Sequence, residues 1–342
     1  MTRPLRYLIT GAAGHLGLAL VSELLARKQN VRVLLLPNDP FPYEDQVEVV
    51  RGDELDPRAL DTFFSNPEDE DFYLVHAAGI VSISSKFDQR VYDVNVKGSE
   101  AVLDHAFASG VKKTVYVSSV HAIPERKKGQ TIVENPDFDP QAVKGLYAQT
   151  KAEASAYALT LANHGLNLMI VHPSGIIGPY DKGRSHLIAL LKDYYTGRLK
   201  AAVKGGYDFV DVRDVVNGIL ACFVSGESGE CYILSGSYHT IKELLGAASQ
   251  VTGQPPIKTY LPYGLARFIA PLEEAWYRKR KIPPLYTAYS LYTLRSNANF
   301  SHAKATEQLH YVPRPLFETI KDSYDYLFTH GALTPKEPHG QI

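Results

Sequence analysis

The sequence is poor in cysteine: its 342 residues contain two, Cys222 and Cys231. They lack the spacing of a zinc site, and a disulfide framework needs more cysteines in a shorter chain. We therefore expect ordinary thiols in a reducing compartment and no bound metal. An excess of one charge is also missing, because 36 Lys and Arg face 37 Asp and Glu. A chain near neutrality has no bulk attraction to nucleic acid or acidic lipid.

Long hydrophobic runs are absent as well. No stretch approaches the roughly 20 apolar residues that a membrane-spanning helix needs. The beginning, MTRPLRYLIT, runs into a predicted strand and lacks the apolar core of a secretory signal. We expect a cytoplasmic protein without a membrane span. The hydrophobic fraction of 45% is nevertheless enough for a sizeable core.

The first half of the chain alternates short aliphatic runs with amphipathic stretches. The runs RYLIT, VRVLLL, VEVV, FYLVHAA, KTVYVSS and LNLMIVHP indicate strands. Such alternation predicts βαβ units and a parallel sheet that is buried on both faces. After Pro173 strands become rare, and Gly, Pro and Tyr become frequent. We predict an α/β fold, a Rossmann-type doubly wound parallel sheet with a smaller, mostly helical C-terminal substrate-binding cap.

The length of 342 residues fits two domains. We expect the dinucleotide-binding domain over residues 1–175, and the chain should rejoin this domain at about residues 206–235. The substrate-binding cap is expected over residues 176–205 and 236–342. Within the cap, the segment 262–281 is either an amphipathic flap over a pocket or a loose membrane contact.

A glycine-rich turn lies between the first strand and the first helix, in YLITGAAGHLGLAL. Gly11 permits a tight turn, Gly14 a close approach of backbone to a pyrophosphate, and Gly17 close packing of helix on strand. The helix N-terminus adds unpaired N–H groups and a positive dipole. We predict that this turn, including His15 and Leu16, binds a cofactor diphosphate, and that His15 acts through its backbone.

Three tyrosines precede a lysine by four positions, a spacing that places both side chains on one helix face. A phenol with a pKa near ~10 is a poor base at neutral pH, but a nearby ammonium favours the phenolate. Such a phenol can take a proton from an alcohol or return it to a ketone. The three pairs are Tyr147/Lys151, Tyr238/Lys242 and Tyr277/Lys281.

The order of several short blocks resembles the extended short-chain dehydrogenases/reductases of the NAD-dependent epimerase/dehydratase superfamily. The blocks are GAAGHLG, GDELD, VHAAG, NVKGSEAVL, VYVSS, YAQTK, HPSGIIGP and FVDVRDVV, over roughly residues 5–235. The resemblance implies that Ser119, Tyr147 and Lys151 are catalytic, with Ser118 as the alternative to Ser119. It also implies that Lys151 holds the nicotinamide ribose. The other two tyrosine–lysine pairs are then chance spacings.

The resemblance further implies a set of cofactor-binding residues. Asp53 would receive the adenine amino group, unless it is a plain turn aspartate. Asn95 either helps to order the site or makes a hydrogen bond at the start of its helix. The predicted cofactor-binding set is Gly11, Gly14, His15, Leu16, Gly17, Asp53, Glu54, Ala77, Ala78, Gly79, Asn95, Tyr147, Lys151, Pro173 and Ser174.

The end of the second predicted strand, at Leu36, bears on the choice between NAD and NADP. An acidic residue there would bind a ribose 2′-hydroxyl, whereas an arginine would hold a 2′-phosphate. Neither occurs at the strand end, although Asp39 follows closely, and no Lys or Arg lies between Arg32 and Arg51. We expect NAD and keep NADP as the alternative.

Two positions bear on the substrate. Nucleotide-sugar enzymes of the resembled family typically carry an asparagine before the GP turn and an arginine ahead of D-F-x-x-V-x-D. This sequence has Ser174 and Tyr207 there, and a buried diphosphate without cationic partners would be very unfavourable. HPSGIIGP is closer to dihydroflavonol reductases and 3β-hydroxysteroid dehydrogenases. Aromatic residues are also frequent in the cap, which suits an apolar pocket.

We therefore predict an NAD(P)-dependent oxidoreductase that interconverts a secondary alcohol and a ketone by hydride transfer. Its substrate would be bulky, largely apolar and ringed, steroid-like or flavonoid-like, with Tyr147 as general acid/base. The alternatives are a nucleotide-sugar epimerase or dehydratase with tightly bound NAD, and a non-catalytic dinucleotide sensor. By resemblance we also expect a homodimer through the helices near Asn95 and Tyr147. Four alanines of the second helix suit close helix packing there, or equally packing on the sheet.

Overall fold

The computed structural model describes residues 3–82, 86–183, 185–266, 268 and 288–335. The pair Tyr277/Lys281 and most of the segment 262–281 lie outside the described residues. The expectations for them therefore stay predictions.

The centre of the molecule is a seven-stranded parallel sheet in the order β10-β6-β5-β4-β1-β2-β3. Aliphatic side chains on both faces of these strands are buried, as the continuous apolar runs predict. The strands are β1 (Leu5–Thr10), β2 (Asn30–Leu35), β3 (Glu48–Arg51), β4 (Asp71–His76), β5 (Lys113–Val117), β6 (Leu168–Pro173) and β10 (Cys231–Leu234).

Helices cover both faces of this sheet. On one face α1 (His15–Ala26) packs beside α7 (Val212–Ser225), with Leu20 and Ile219 fully buried. The other face carries α2 (Pro57–Phe63), α4 (Ser99–Ala108) and α5 (Leu146–Asn163). A short helix α3 (Gln89–Tyr92) and a π-helical turn (Asp93–Gly98) lead into α4. The predicted Rossmann-type sheet is confirmed.

The C-terminal part of the chain is mostly helical, as predicted. Its helices are α6 (His186–Tyr195), α8 (Ile241–Thr252), Ala288–Thr293, Ala303–Leu309 and Leu316–Thr329. Two small sheets accompany them. One pairs β7 (Gly175–Ile177), β9 (Gly206–Asp211) and β11 (Ser237–Thr240), and the other pairs β8 (Ala202–Val203) with β12 (Tyr260–Leu261).

Residues 206–235, predicted to rejoin the dinucleotide-binding domain, are divided between the large sheet and the three-stranded sheet. Strand β10 joins the large sheet and α7 covers it, whereas β9 belongs to the three-stranded sheet. Conversely, the helix Ala303–Leu309 packs against α7 and β10, although it lies in the predicted cap. The domain boundaries themselves stay a prediction.

The segment 289–300 is fastened to the long loop between β5 and α5. The Asn297 amide N–H donates to a Glu125 carboxylate oxygen at 2.8 Å, and the Tyr292 hydroxyl donates to the same carboxylate. Ile132 and Phe300 form a β-bridge. These contacts hold the helix Ala288–Thr293 close to the end of β5, where the predicted catalytic residue Ser119 lies.

Candidate active site

The glycine turn after β1 brings three backbone segments together. Gly11 has φ +69°, and a Cβ there would lie 2.6 Å from the Ala77 carbonyl carbon. A Cβ on Gly17 would lie 2.2 Å from the Gly11 oxygen. Gly14 precedes α1 and provides no side-chain cap, so the first N–H groups of the helix remain available for an anion.

The two residues after Gly14 differ in role. Leu16 is buried in the core beneath the turn. His15 is half-buried, and its Nε2 donates to the Pro179 carbonyl oxygen at 2.7 Å. Partial burial lowers the pKa of this imidazole. The ring thus links the glycine turn to the segment after β7, a structural role that the sequence did not indicate.

The three predicted catalytic side chains lie on the wall of one cavity of about 960 Å³. Ser119 follows β5, and its Oγ accepts from the His121 backbone N–H at 3.2 Å. Tyr147 and Lys151 are buried on α5. The Lys151 ammonium donates to the Val117 carbonyl oxygen at 2.9 Å. It also lies 4.9 Å from the centroid of the Tyr116 ring.

The two adjacent serines at the end of β5 have different partners. The Ser118 hydroxyl bonds to the Ser155 hydroxyl at 2.7 Å, and Ser155 in turn donates to the Lys151 carbonyl oxygen. The Ser119 hydroxyl instead interacts with the Tyr147 phenol. Ser119 is therefore the serine whose hydroxyl meets the tyrosine.

Burial controls the protonation of the tyrosine–lysine pair. It raises the pKa of the Tyr147 phenol, and hydrogen bonding with Ser119 opposes the increase. It lowers the pKa of the Lys151 ammonium to about 8, against the favourable charge of Glu54. At neutral pH without cofactor the phenol is protonated and the lysine is mostly charged.

Asn95 is fully buried in the π-helical turn and bridges two elements. Its Oδ1 accepts from the Ile80 N–H at 2.7 Å, and its Nδ2 donates to the Ile80 oxygen and to Thr150 Oγ1, both at 3.1 Å. It thus fixes the loop after β4, which contains Gly79, against α5. The expected alternative, a hydrogen bond at the helix start, does not describe these contacts.

Asp53 and Glu54 follow β3 and both line a smaller cavity of about 530 Å³. Asp53 Oδ1 accepts from the Leu55 N–H at 3.0 Å, as a turn aspartate does. Glu54 is buried, and a Cβ on Gly98 would lie 2.6 Å from its Oε1. Among the described residues Oε1 has no hydrogen-bond partner. Burial and the Asp53 carboxylate raise the pKa of Glu54 to about 8, although Lys151 opposes this.

The smaller and larger cavities meet at the glycine turn. Gly11, Gly14, Ala77 and Gly79 line both of them, while Ala78 lines the smaller one. The Ala78 N–H donates to Thr10 Oγ1 at 3.3 Å. The combined cleft runs along the carboxyl edge of the sheet, where open α/β folds bind ligands. An elongated dinucleotide with its diphosphate at the turn fits this shape.

Pro173 and Ser174 lie at the end of β6 and line the larger cavity. The Ser174 hydroxyl nevertheless has a protein partner, because it donates to Asp208 Oδ1 at 2.5 Å. The Gly236 N–H donates to the same oxygen at 2.8 Å. Burial raises the pKa of Asp208 to about 6, against these two hydrogen bonds. Asp208 begins the D-F-x-x-V-x-D segment, but the pattern did not predict its contact with Ser174.

The second tyrosine–lysine pair has a different setting. Tyr238 lies on β11 and Lys242 on α8, so the two residues do not share a helix face. The Tyr238 side chain is half exposed and is not among the residues lining either cavity.

Sequence reasoning missed one group at the site. His121 and Tyr289 line the larger cavity beside Tyr147, and Tyr207 packs behind His121. His121 stands two positions after Ser119, and that proximity was the available signal. The partners of His121 come from distant parts of the chain, where spacing carries no information.

Two features are absent from the described residues. No helix among them is both long and apolar enough to cross a bilayer. Within the same residues no His, Cys, Asp and Glu side chains cluster as a metal site would require.

Comparison with known proteins gives consistent matches. The sequence model of the NAD-dependent epimerase/dehydratase family matches residues 7–234. A Methylococcus capsulatus protein named sterol demethylase protein B is 31% identical, covering 95% of this chain and 99% of that protein. A Mycobacterium tuberculosis protein named 3β-hydroxysteroid dehydrogenase/Δ5→4-isomerase is 29% identical over 63% of this chain and 59% of its own length. The solved structure of gox2253 has TM-score 0.82 and 28% identity, covering 96% and 99%.

The buried Glu54 carboxyl gives the first testable prediction. Its folded-state pKa of about 8 exceeds the ordinary value of 4.5. Between those pH values the unfolded chain ionises while the folded protein stays protonated, so stability falls as pH rises. Glu54→Gln removes this titration. The variant should gain stability over the original protein by at least about 1.4 kcal/mol more at pH 9 than at pH 5, the value of one pKa unit.

Urea unfolding of the cofactor-free protein at the two pH values measures the difference. The surface variant Glu23→Gln is the matched control, and its effect should be small. An equal effect of Glu54→Gln at both pH values would show that this carboxyl is ionised across the range.

Proposed function

Because the chain belongs to the NAD-dependent epimerase/dehydratase family of extended short-chain dehydrogenases/reductases, we propose that it interconverts a secondary alcohol and a ketone on a bulky, apolar, ringed substrate. The observation that carries the proposal is the position of Ser119, Tyr147 and Lys151. All three line one large cavity that adjoins the glycine turn. This placement supports proton transfer to a substrate oxygen beside a bound dinucleotide.

Each of the three residues has a distinct part in the proposed reaction. The bound cofactor supplies the hydride for ketone reduction or accepts it in alcohol oxidation. Ser119 donates a hydrogen bond to the substrate oxygen and stabilises developing charge. Tyr147 gives its phenolic proton to the ketone oxygen, or takes the hydroxyl proton in the opposite direction. Lys151 favours the phenolate by its charge, and we assign it to the ribose hydroxyls as well.

The two positions that differ from nucleotide-sugar enzymes support an apolar substrate. Tyr207 stacks on His121 instead of offering a cation, and Ser174 is bonded to Asp208. Among the described residues that line the larger cavity, the cationic side chains are Lys151 and the exposed Lys182. A diphosphate would have few partners there. The name of the Methylococcus relative favours a steroid-like ring system.

Apolar side chains account for much of the remaining wall, which suits a ringed substrate. They include Leu16, Leu18, Phe41, Val81, Val117, Ile176 and Leu187.

Turnover and binding panels test the proposed function. With NAD+ or NADH, sterols, bile acids and flavonoids that carry a ring hydroxyl or ketone should change the NADH absorbance. UDP- and dTDP-sugars should neither react nor bind in the micromolar range. Micromolar binding of a nucleotide sugar, with none by the ringed compounds, would establish the epimerase alternative instead.

Tyr147→Phe tests the assigned proton donor. The variant keeps the ring but loses the transferable proton. We expect kcat to fall at least ~10²-fold, the lower range for general acid–base catalysis, with little change in cofactor binding. Tyr238→Phe is the control and should retain activity. Near-full activity of Tyr147→Phe together with an inactive Tyr238→Phe would transfer the role to the second pair.

We propose NAD as the cofactor, with NADP as the alternative. Strand β2 ends at Leu35, one residue before the expected end. Asp39 lines the smaller cavity, where its carboxylate suits a ribose 2′-hydroxyl and opposes a 2′-phosphate. Arg51 reaches the loop 36–39, but its Nη1 donates to three carbonyl oxygens of that loop and its Nη2 pairs with Glu44.

The dissociation constants of NADH and NADPH test this choice. NADH should bind more tightly, and Asp39→Ser should reduce its advantage by roughly tenfold, about 1.4 kcal/mol. Arg51→Lys should leave the preference unchanged, because Arg51 already binds the loop. NADPH binding tenfold tighter than NADH would reverse the assignment.

We also propose a homodimer in the cytoplasm. Three of the four alanines considered for the interface, Ala152, Ala154 and Ala158, are fully buried within one chain. They therefore support packing on the sheet rather than contact between chains. The exposed Phe107 on α4 supports the dimer, and light scattering at micromolar concentration would refute it by giving a monomer mass.

The free, buried cysteines suit a reducing compartment, which cell fractionation would test.

A further inference from the structure

Three side chains from separate parts of the chain meet beside Tyr147, and we call them the His121 cluster: His121, Tyr207 and Tyr289. The His121 ring stacks on Tyr207 at 5.7 Å between centroids, and its Nε2 lies 3.1 Å from the Tyr207 hydroxyl. Its Nδ1 lies 3.4 Å from the Tyr289 hydroxyl. His121 and Tyr289 both line the larger cavity.

The protons of this cluster can be assigned. Burial lowers the pKa of His121 to about 4, so the imidazole is neutral and has one N–H. Burial also keeps the Tyr207 phenol protonated by raising its pKa. Among the described residues His121 Nε2 is the acceptor found for that phenol. Tyr207 therefore donates to Nε2, and Nδ1–H points toward Tyr289.

Two contacts fix the cluster relative to the catalytic groups. The His121 N–H donates to Ser119 Oγ, and the His121 ring lies edge-on to Tyr147 with centroids 6.0 Å apart. The Tyr289 ring packs on Gly145, where a Cβ would lie 2.4 Å from the ring. Gly145 directly precedes α5, which carries Tyr147. A ligand oxygen near the cluster is therefore also near the reacting oxygen.

Of the two hydrogen bonds of the His121 ring, the one between Nδ1 and the Tyr289 hydroxyl is the longer and weaker. At 3.4 Å it is much longer than an ordinary hydrogen bond to oxygen. A better acceptor inside the cavity would therefore attract Nδ1–H, the Tyr289 hydroxyl proton, or both. The hydrogen bond from Tyr207 to Nε2 polarises the imidazole and makes Nδ1–H a stronger donor. Both residues line the cavity, so both donors lie where a ligand could accept from them.

We propose that His121 and Tyr289 form a second, uncharged hydrogen-bond donor site that selects substrates with another neutral oxygen close to the reacting carbon. The proposal rests on the proposed function and narrows its substrate class. The favoured compounds are ringed ketones or alcohols with a hydroxyl or carbonyl one or two carbons away. Tyr207 does not touch the substrate. It positions His121 by donating its hydroxyl proton to Nε2, so that the imidazole hydrogen is on Nδ1.

Matched ketone pairs test the proposal, since the members of a pair differ by one hydroxyl beside the carbonyl. The probes are flavanone with 3-hydroxyflavanone, and 5α-cholestan-3-one with its 2α-hydroxy derivative. For each we measure kcat/KM with NADH and, separately, the dissociation constant by calorimetry with cofactor present. Binding is measured whether or not a probe reacts, so that turnover and selection are read independently.

The original protein should prefer the hydroxylated member of at least one pair by about tenfold, the upper range for a neutral hydrogen bond. Tyr289→Phe should remove most of that preference, which is read as the ratio between the two members of a pair. His121→Phe should do the same, and the two changes should not add, because they break one unit. Tyr207→Phe should weaken the preference without changing the unhydroxylated probe.

Tyr292→Phe is the matched control. It removes a phenol from the same short helix, but one that bonds to Glu125. The preference should be preserved, because the Asn297 N–H and the Ile132–Phe300 bridge still hold the segment. Equal affinity of the original protein for both members of each pair would overturn the inference, as would a preference that survives Tyr289→Phe. Selective binding without any turnover would instead sustain the inference and contradict the proposed oxidoreductase.

Discussion

The buried ammonium of Lys151 is the group on which the rest of the candidate site depends. It is 4% exposed, and among the described residues its hydrogen-bond acceptors are the Val117 carbonyl and the Tyr116 hydroxyl. A charge in such surroundings is unfavourable unless neighbours compensate. The face of the Tyr116 ring provides part of the compensation. The remainder can come from ligand oxygens in the cleft.

This constraint explains why several residues converge on one helix turn. Asn95 holds the loop after β4 against Thr150, the residue before Lys151. Ser118 and Ser155 fix the carboxyl end of β5 to the same helix. The cleft on this side then places Tyr147 between a cation, the Ser119 hydroxyl and an apolar wall. In the proposed reaction this arrangement would serve proton exchange with a substrate oxygen.

The parts that the sequence could predict depend on short spacings. The glycine turn, each single strand and the Tyr147/Lys151 pair are contained within short stretches, where backbone geometry sets the relation between side chains. The family resemblance and the predicted sheet are both confirmed. The His121 cluster could not be predicted, since His121 contacts residues 86 and 168 positions away. The burial of Glu54 likewise depends on Gly98 from another element.

Tracing the carbinol hydrogen tests the central claim most directly. A ringed secondary alcohol carrying deuterium on its carbinol carbon is incubated with the protein and excess NAD+. We expect deuterium in NADH free in solution, in molar excess over the protein and equal to the ketone formed. Recovery of the deuterium in an alcohol inverted at that carbon, without free NADH, would contradict it, as would unchanged alcohol from every sterol, bile acid and flavonoid.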